Sequence, residues 1–201
     1  MTLPSSLPSP PADPDAELVQ RARAGERDAV EALARWCYPR VYRWALVRTG
    51  EPDEADDVTQ EVLVRLATRF EGYRGEARFT TWLYQLTANE VGSRARRRNR
   101  RAALLERWTR PAAARDEEAA RLDELHGASV AGLVRTLLHE LPEQQRTVFD
   151  LADLQGYQPA EIAAMLDLEA ATVRSHLMRG RRAMRSRIFE RLPTLREDGS
   201  A

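Results

Sequence analysis

Apolar residues recur along this chain at helical intervals, and the period-two alternation that would indicate strands is nearly absent. The N-terminal half carries three apolar stripes, within residues 27–48, within residues 55–70 and from Phe79 onward. Gly72 and Gly75 interrupt the pattern between the second and third stripes. The pattern therefore predicts an all-α N-terminal domain in which three helices share one core.

A second group of apolar stripes begins near Val130 and ends near Leu192. Pro159 suits the first position of a short helix, because its missing N–H would be unpaired there in any case. Asp167 then occupies a turn, and a longer helix that carries Val173 on its inner face follows. A short helix, a tight turn and a second helix are typical of a helix-turn-helix. The sequence thus predicts a second small helical domain.

Composition supplies the boundaries between these units. Residues 1–14 carry five prolines and no basic residue, which indicates a disordered leader rather than a secretory signal. Residues 102–129 are rich in Ala, Arg and Glu and offer few residues to bury, as a flexible linker does. The expected organisation is therefore a domain at 15–101, the linker, a domain at 130–192 and a tail at 193–201.

Several functional classes lack support in the sequence. No apolar run approaches the roughly 20 residues that a membrane span needs. Cys37 is the only cysteine, so an internal disulfide or a cysteine-based zinc site cannot form. His126, His139 and His176 lie in separate elements without metal-ligand spacing, and no nucleophile and base pair is evident. We therefore expect a cytoplasmic, non-catalytic protein with no metal, cofactor, small-molecule substrate or direct membrane insertion.

Charge is balanced overall but segregated along the chain. There are 31 basic and 31 acidic residues, and every basic residue is an arginine, the side chain that pairs bidentately with phosphate. Residues 51–61 hold six acidic and no basic residues, residues 94–110 hold eight arginines and one glutamate, and residues 170–189 hold six arginines and no acid. This pattern indicates one acidic and two basic regions, which we expect on separate surfaces.

The acidic region coincides with the start of the second N-terminal helix. Carboxylates in the first turn, from Asp53 on, are stabilised by the helix dipole and need no function. Asp57 and Glu61 lie one turn apart on the helix, however, where like charges repel. An uncompensated acidic helix face therefore predicts a docking surface for a basic partner.

The glycine-containing loop before the third N-terminal helix interleaves aromatic residues with arginines. Aromatic faces and cations are what single-stranded nucleic acid binds. The alternative, in which Phe79 and Leu83 are ordinary core residues, is favoured for these two positions. The helix then continues to an arginine row on one face, which includes Arg94, Arg97 and Arg98 and could follow a phosphate backbone.

The second helix of the predicted helix-turn-helix presents an outward face suited to a major groove. Its arginines can pair with guanine edges or phosphates, and its serine and methionine can contact sugars and thymine methyl groups. The alternative is a solvated arginine face. The preceding short helix and turn favour the recognition helix. The residues on this face are Arg174, Ser175, Met178, Arg179 and Arg182.

Two blocks of sequence resemble a known family. Residues 56–66, DDVTQEVLVRL, followed by FTTWL at 79–83 and Asn89, resemble region 2 of the extracytoplasmic-function (ECF) group of bacterial sigma factors. Residues 141–149, LPEQQRTVF, followed by TVRSHL at 172–177, resemble region 4 of the same group.

The family's usual glycine in the helix-turn-helix turn is replaced here by Asp167, which tolerates a left-handed backbone better than most residues.

The resemblance implies a transcription initiation factor that joins core RNA polymerase, directs it to specific promoter DNA and helps to open the duplex. An anti-sigma factor is the implied inhibitor. The residues implied to bind the polymerase are Asp56, Asp57, Gln60 and Glu61. Those implied to contact the single-stranded downstream promoter element are Arg74, Glu76, Arg78, Phe79, Trp82, Asn89, Arg94, Arg97 and Arg98. Those implied to bind the upstream element as duplex are Thr172, Arg174, Ser175, Met178, Arg179 and Arg182.

Two other classes of protein share part of this pattern. A conventional repressor or activator would use the helix-turn-helix alone, with the N-terminal domain as a sensor or dimeriser. An interaction protein would bind a partner through the acidic helix and never contact DNA. The arginine row and the aromatic loop argue against the first, because a sensor domain needs neither.

Overall fold

A computed structural model describes residues 12–68, 70, 72–106 and 130–192. Within these ranges the chain forms helices joined by turns and contains no strand, which confirms the all-α prediction. Most of the predicted leader, most of the predicted linker and the whole predicted tail lie outside the described residues.

The N-terminal unit consists of α1 (Ala16–Arg23), α2 (Arg27–Thr49), α3 (Pro52–Thr68) and α4 (Phe79–Glu106). Helix α2 lies at the centre and packs against the other three helices. The apolar stripes predicted from the sequence form the core, and α4 continues past the domain boundary expected at residue 101. The fully buried side chains of this core include Leu33, Val41, Trp44, Val58, Val62 and Leu83.

The start of α4 is capped from the N-terminal segment. The Asp13 carboxylate accepts hydrogen bonds from the backbone N–H groups of Phe79 and Thr80, both at 3.2 Å, and faces Arg78 Nε at 3.4 Å. These amides belong to the first turn of α4, which has no partner for them within the helix. The leader predicted at 1–14 includes Asp13, whereas in the structure this residue is bound into the N-terminal unit.

The C-terminal unit consists of α5 (Val130–His139), α6 (Glu143–Phe149), a π-helical turn (Asp150–Leu154), α7 (Pro159–Leu166) and α8 (Ala170–Arg191). Helix α8 packs against α5, α6 and α7 and so organises the unit. Its buried side chains are Val173, Leu177 and Met184, with Gly180 allowing a close approach to α6.

The predicted helix-turn-helix is formed by α7 and α8. Asp167 between them adopts φ 54° and ψ 50°, the left-handed conformation in which a glycine is most common. Among the described residues it alone, apart from glycines, has a positive φ. The expectation that an aspartate can replace glycine at this turn is confirmed.

The two units dock against each other through α2. Arg43 Nη2 lies 2.6 Å from Oδ1 of Asp150, whose side chain is only 2% exposed. Trp44 donates from its indole N–H to Gln155 Oε1 at 3.0 Å. Gln155 in turn donates to the other oxygen of Asp150. The sequence pattern predicts the two units but not this docking, which depends on side chains more than a hundred positions apart.

A second set of contacts joins the far side of the interface. Gln85 of α4 donates to the backbone oxygen of Ala164 at 3.1 Å, and Arg48 of α2 lies 2.8 Å from a carboxylate oxygen of Glu143. Apolar side chains of both units belong to one continuous cluster around these contacts. The interface between the two units therefore combines apolar packing with charged and polar contacts.

Candidate protein and nucleic-acid interfaces

The four residues predicted to bind a protein partner lie together on the accessible side of α3. Asp57 and Gln60 are exposed, and Asp56 and Glu61 are partly exposed. Tyr38 of α2 borders this face and donates to Asp56 Oδ1 at 3.3 Å. The negative charge of Asp56 is the main cause that raises the pKa of the Tyr38 phenol. The structure thus brings the predicted acidic face together and adds an exposed tyrosine to it.

The acidic face is paired with the arginine row of α4. Arg94 Nη1 lies 2.8 Å from Asp57 Oδ2, and Arg98 Nη1 lies 2.6 Å from Glu54 Oε2. The prediction of an uncompensated acidic face is therefore wrong. The prediction of separate surfaces is wrong for the acidic region and the first basic region, which share one surface. The physical reason is that α3 packs beside α4, which places the two charged rows within reach of each other.

A buried carboxylate lies beneath this pairing. The Glu90 side chain is 1% exposed, and its oxygens lie 2.7 Å from Arg65 Nη2 and 3.5 Å from Arg94 Nε. Arg65 also pairs with Glu61 at 3.2 Å. The sequence pattern did not predict Glu90 and Arg65. One signal was present, because Glu90 lies four residues before Arg94, which is the spacing of a helical ion pair. Glu90 also lies on the inward side of α4, with Leu83.

The aromatic residues around the loop pack on one another. Phe79 lies at the centre, with its ring centroid 5.3 Å from that of Tyr73 and 5.5 Å from that of Trp82. Phe79 is only 2% exposed, as the core alternative expected, and so presents no face to a nucleic-acid base in this arrangement. Trp82 and Tyr73 are partly exposed and are the aromatic surfaces that a base could reach.

The polar residues predicted for the single-stranded element divide into two groups. Arg74 and Glu76 are exposed on the loop, and Arg97 is exposed on α4. Arg78, in contrast, pairs with Glu161 of α7 and with Asp13. The structure therefore does not gather the predicted set on one free surface.

Asn89 lies at the boundary between the two units. It lines a cleft of about 640 Å³ whose opposite wall includes Asp167 and Leu168 at the helix-turn-helix turn. This residue and Arg78 both face the C-terminal unit in the docked arrangement.

The outward face of α8 presents the residues predicted to bind duplex DNA. Arg174, Arg179 and Arg182 are exposed, and the Met178 side chain is 66% exposed, whereas Thr172 and Ser175 are partly buried. A groove of about 650 Å³ runs beside this face.

One arginine of this helix has a structural role instead. Arg181 also borders the groove, but Asp153 holds it through contacts of 2.5 and 2.9 Å.

Burial and then the neighbouring Arg179 lower the pKa of His176, so that this imidazole is neutral at pH 7. The positive charge of the face thus comes from its exposed arginines.

The described part of the chain contains neither a membrane span nor a metal cluster. No helix there has the length and apolar character required to cross a bilayer. No three potential metal ligands cluster within the same residues.

A helical unit with an acidic helix face, joined to a helix-turn-helix unit with an arginine-rich face, is typical of a DNA-binding protein. Family models give the class. The model for sigma-70 region 2 matches residues 33–101, and the model for sigma-70 region 4 matches residues 131–184. Together they match more than half of the chain.

Curated relatives agree with these matches. The chain is 28% identical to the ECF RNA polymerase sigma-E factor of Haemophilus influenzae over 181 residues, which span 87% of this chain and 95% of the relative. It is 34% identical to the ECF RNA polymerase sigma factor SigE of Mycolicibacterium smegmatis over 158 residues, 77% of this chain and 60% of that relative. The protein therefore belongs to the ECF group of RNA polymerase sigma factors.

Solved structures share the fold. CnrH, in complex with the cytosolic domain of CnrY, superposes with a TM-score of 0.61 at 22% identity, over 86% of this chain and 95% of that chain. The sigma factor RpoE of Bartonella quintana, in complex with the anti-sigma factor NepR, also has a TM-score of 0.61, at 18% identity, over 78% of this chain and 94% of that chain. At these identities the likeness concerns the arrangement of helices.

Proposed function

We propose that this sigma factor acts in the cytoplasm as a non-catalytic subunit that binds core RNA polymerase, directs it to specific promoters and helps to open the DNA. The observation that carries the proposal is the combination, in one chain, of region 2 with its acidic helix face and region 4 with its helix-turn-helix. Catalysis belongs to the polymerase. A repressor that used the helix-turn-helix alone would have no need of region 2.

The accessible side of α3 is the proposed polymerase-binding surface. Asp57 and Gln60 are exposed at its centre, and the partly exposed Asp56 and Glu61 flank them. Such a face fits a basic partner surface, because complementary potentials steer the encounter and fix its register. Tyr38 beside Asp56 supplies an aromatic side chain of the kind enriched at interface centres.

The loop and α4 are the proposed contacts for the opened downstream element. Trp82 offers an accessible ring for base stacking, and Arg74 offers an exposed cation for a phosphate. Arg97 is exposed on α4 for the same backbone. Burial of Phe79 makes it a support for this surface rather than a direct contact.

The outward face of α8 is the proposed reader of the upstream element. Arg174 and Arg179 are exposed where arginines of a recognition helix reach guanine edges or phosphates. The exposed Met178 between them suits a thymine methyl group. The partly buried Thr172 and Ser175 are placed for sugar and phosphate contacts at the start of the helix.

Promoter binding requires the two units to move apart from the docked arrangement. Arg78 and Asn89, both proposed to contact the single strand, face α7 and the turn after it. A ligand strand could pair with Arg78 only after its contact with Glu161 is broken. The docked arrangement therefore fits the free factor better than a promoter-bound factor.

An anti-sigma factor is the proposed inhibitor. The Bartonella quintana relative in fold was solved with an anti-sigma factor bound. Co-purification from the native host should recover an inhibitory partner of this chain. Recovery of none, together with constitutive promoter activity in cells, would argue against this part of the proposal.

The polymerase surface is tested by replacing one carboxylate of the acidic face. In a titration of labelled full-length factor with core polymerase, Asp57→Ala should weaken binding about tenfold, equivalent to about 1.4 kcal/mol. Glu31→Ala is the matched control, because Glu31 is an exposed acid of α2 that pairs only with the equally exposed Arg35. Equal affinities of the two variants would remove Asp57 from the interface.

A further inference from the structure

Five charged side chains form a continuous chain between the proposed polymerase surface and the arginine row of α4. Asp57 pairs with Arg94, Arg94 with Glu90, Glu90 with Arg65, and Arg65 with Glu61. Both ends of this chain are carboxylates of the proposed polymerase-binding face. Its middle is the buried Glu90.

The two edges of the Arg94 guanidinium group make different contacts. Its Nε faces the Glu90 carboxylate, which is 1% exposed, at 3.5 Å. Its outer nitrogens reach Asp57, with Nη1 at 2.8 Å from Oδ2 and Nη2 at 3.2 Å from the backbone oxygen. The Asp57 side chain is 62% exposed. The inner edge therefore lies beside a buried carboxylate without a hydrogen bond to it, whereas the outer edge is bound to a group that solvent or a partner can reach.

The neighbouring arginines of α4 provide an internal comparison. Arg98 Nη1 lies 2.6 Å from Glu54, one turn before Asp57 on α3. Arg97 between them is exposed, and within the described part of the chain it has no ion pair. Two of the three arginines proposed to follow the promoter backbone are thus occupied by acids of α3.

The two kinds of contact differ in how easily they exchange. Exposed ion pairs are weak, because water and salt screen them and because long side chains lose entropy in holding them. A buried carboxylate with an arginine partner is costly to leave unpaired. Glu90 keeps its closer partner Arg65 at 2.7 Å whether or not Arg94 stays. The guanidinium end of Arg94 can therefore change partners from a carboxylate to a phosphate at little cost.

We propose that Asp57 and Glu54 hold Arg94 and Arg98 away from DNA in the free factor, and that a basic polymerase surface which binds these acids releases both arginines to the promoter backbone. This inference rests on the proposed function of the two surfaces. Since binding couplings are reciprocal, promoter backbone that captures the arginines also strengthens binding of the polymerase.

The test is the salt dependence of DNA binding by the free full-length chain. A fluorescein-labelled single-stranded oligonucleotide of mixed sequence is titrated at several salt concentrations. Asp57→Asn frees Arg94 without polymerase, so the slope of log affinity against log salt should steepen by about 0.7, the value for one further phosphate contact on a single strand. Asp53→Asn is the matched control, because Asp53 is exposed on the same helix and has no arginine partner among the described residues. Its slope should equal that of the wild type.

Double variants identify the arginine that is released. Each double variant is compared with the single variant that lacks the same arginine. The steepening caused by Asp57→Asn should disappear in the Arg94→Gln background and should persist in the Arg97→Gln background. Equal slopes for Asp57→Asn and Asp53→Asn would overturn the proposal. A gain that survives Arg94→Gln would overturn it as well.

The ion pair of Glu54 and Arg98 provides a second test if circular dichroism shows that Asp57→Asn does not fold. Glu54→Gln frees Arg98 in the same way and should steepen the slope by the same amount. Binding of wild-type factor to core polymerase is measured in a separate titration. Its absence would refute the proposed function, whereas normal binding with unchanged slopes would refute only this inference.

Discussion

Docking of the two units can be probed at the ion pair between Arg43 and Asp150. Arg43→Met preserves most of the side-chain volume on α2 and removes the charge. The Asp150 side chain, 2% exposed, would then keep only its hydrogen bond from Gln155. A buried carboxylate that loses a charged partner is destabilising, so the variant should unfold more readily than the wild type.

The size of the effect follows from the exposure of the two partners. A hydrogen bond to a charged group contributes about 1.5 to 3 kcal/mol. Arg43 is 43% exposed, which places the loss toward the lower part of that range, at about 2 kcal/mol. For a chain of 201 residues this corresponds to a fall of about 4 to 8 °C in Tm. If the two units separated, water would solvate Asp150. The free energy of unfolding lost through Arg43→Met therefore cannot exceed the free energy that holds the two units together.

The assay is thermal unfolding followed by circular dichroism, with urea unfolding as a second measure of the free energy. Arg35→Met is the matched control on the same helix, because Arg35 and Glu31 form a pair in which both side chains are more than 60% exposed. That pair should contribute less than about 0.5 kcal/mol. Equal falls in Tm for the two variants would show that the pair of Arg43 and Asp150 contributes no more than an exposed ion pair.

Three further predictions concern separate features. Asp13→Ala removes the cap of α4 and should lower the free energy of unfolding by about 1 kcal/mol in urea, whereas unchanged stability would show that the cap contributes nothing. Burial raises the pKa of the Cys37 thiol from 9.0 to about 12, so the native protein should react with iodoacetamide at pH 8 on the order of a thousandfold more slowly than the urea-unfolded chain. The same pKa shift should make the free energy of unfolding fall between about pH 9 and about pH 12, because the unfolded chain loses the thiol proton first. Fast labelling of the native protein would contradict the burial of Cys37. Arg174→Ala should weaken binding of the full-length factor to its upstream duplex by about 1 to 3 kcal/mol in a gel shift, whereas Arg35→Ala should leave this binding unchanged. Equal losses of affinity in the two variants would mean that only the net charge of the protein matters.

The helices were predictable because their apolar residues recur at helical spacing and are buried on one side. The stripe that contains Val58 and Val62 is buried as expected, and the left-handed turn falls on Asp167. Both depend on local rules, namely the helical period and the tolerance of aspartate for positive φ. Local rules of this kind require no knowledge of the tertiary arrangement.

The charged surfaces were harder to predict, because pairing between helices is not encoded in spacing along one helix. Asp57 and Arg94 lie 2.8 Å apart across α3 and α4, although 37 positions separate them in sequence. Counting charges by segment therefore located the acidic and basic rows correctly but not their mutual neutralisation. The contact of Arg78 with Glu161 escaped for the same reason, since it joins two units.

Promoter specificity is what this chain is expected to confer on core RNA polymerase. Its most direct test is transcription in a purified system, in which core polymerase, genomic DNA fragments and the full-length factor are combined and the transcript ends are mapped. Transcripts should begin at a defined set of positions only when the factor is present, and at limiting factor they should be reduced about tenfold with Asp57→Ala. A factor that neither binds core polymerase nor changes where transcripts begin would contradict this expectation.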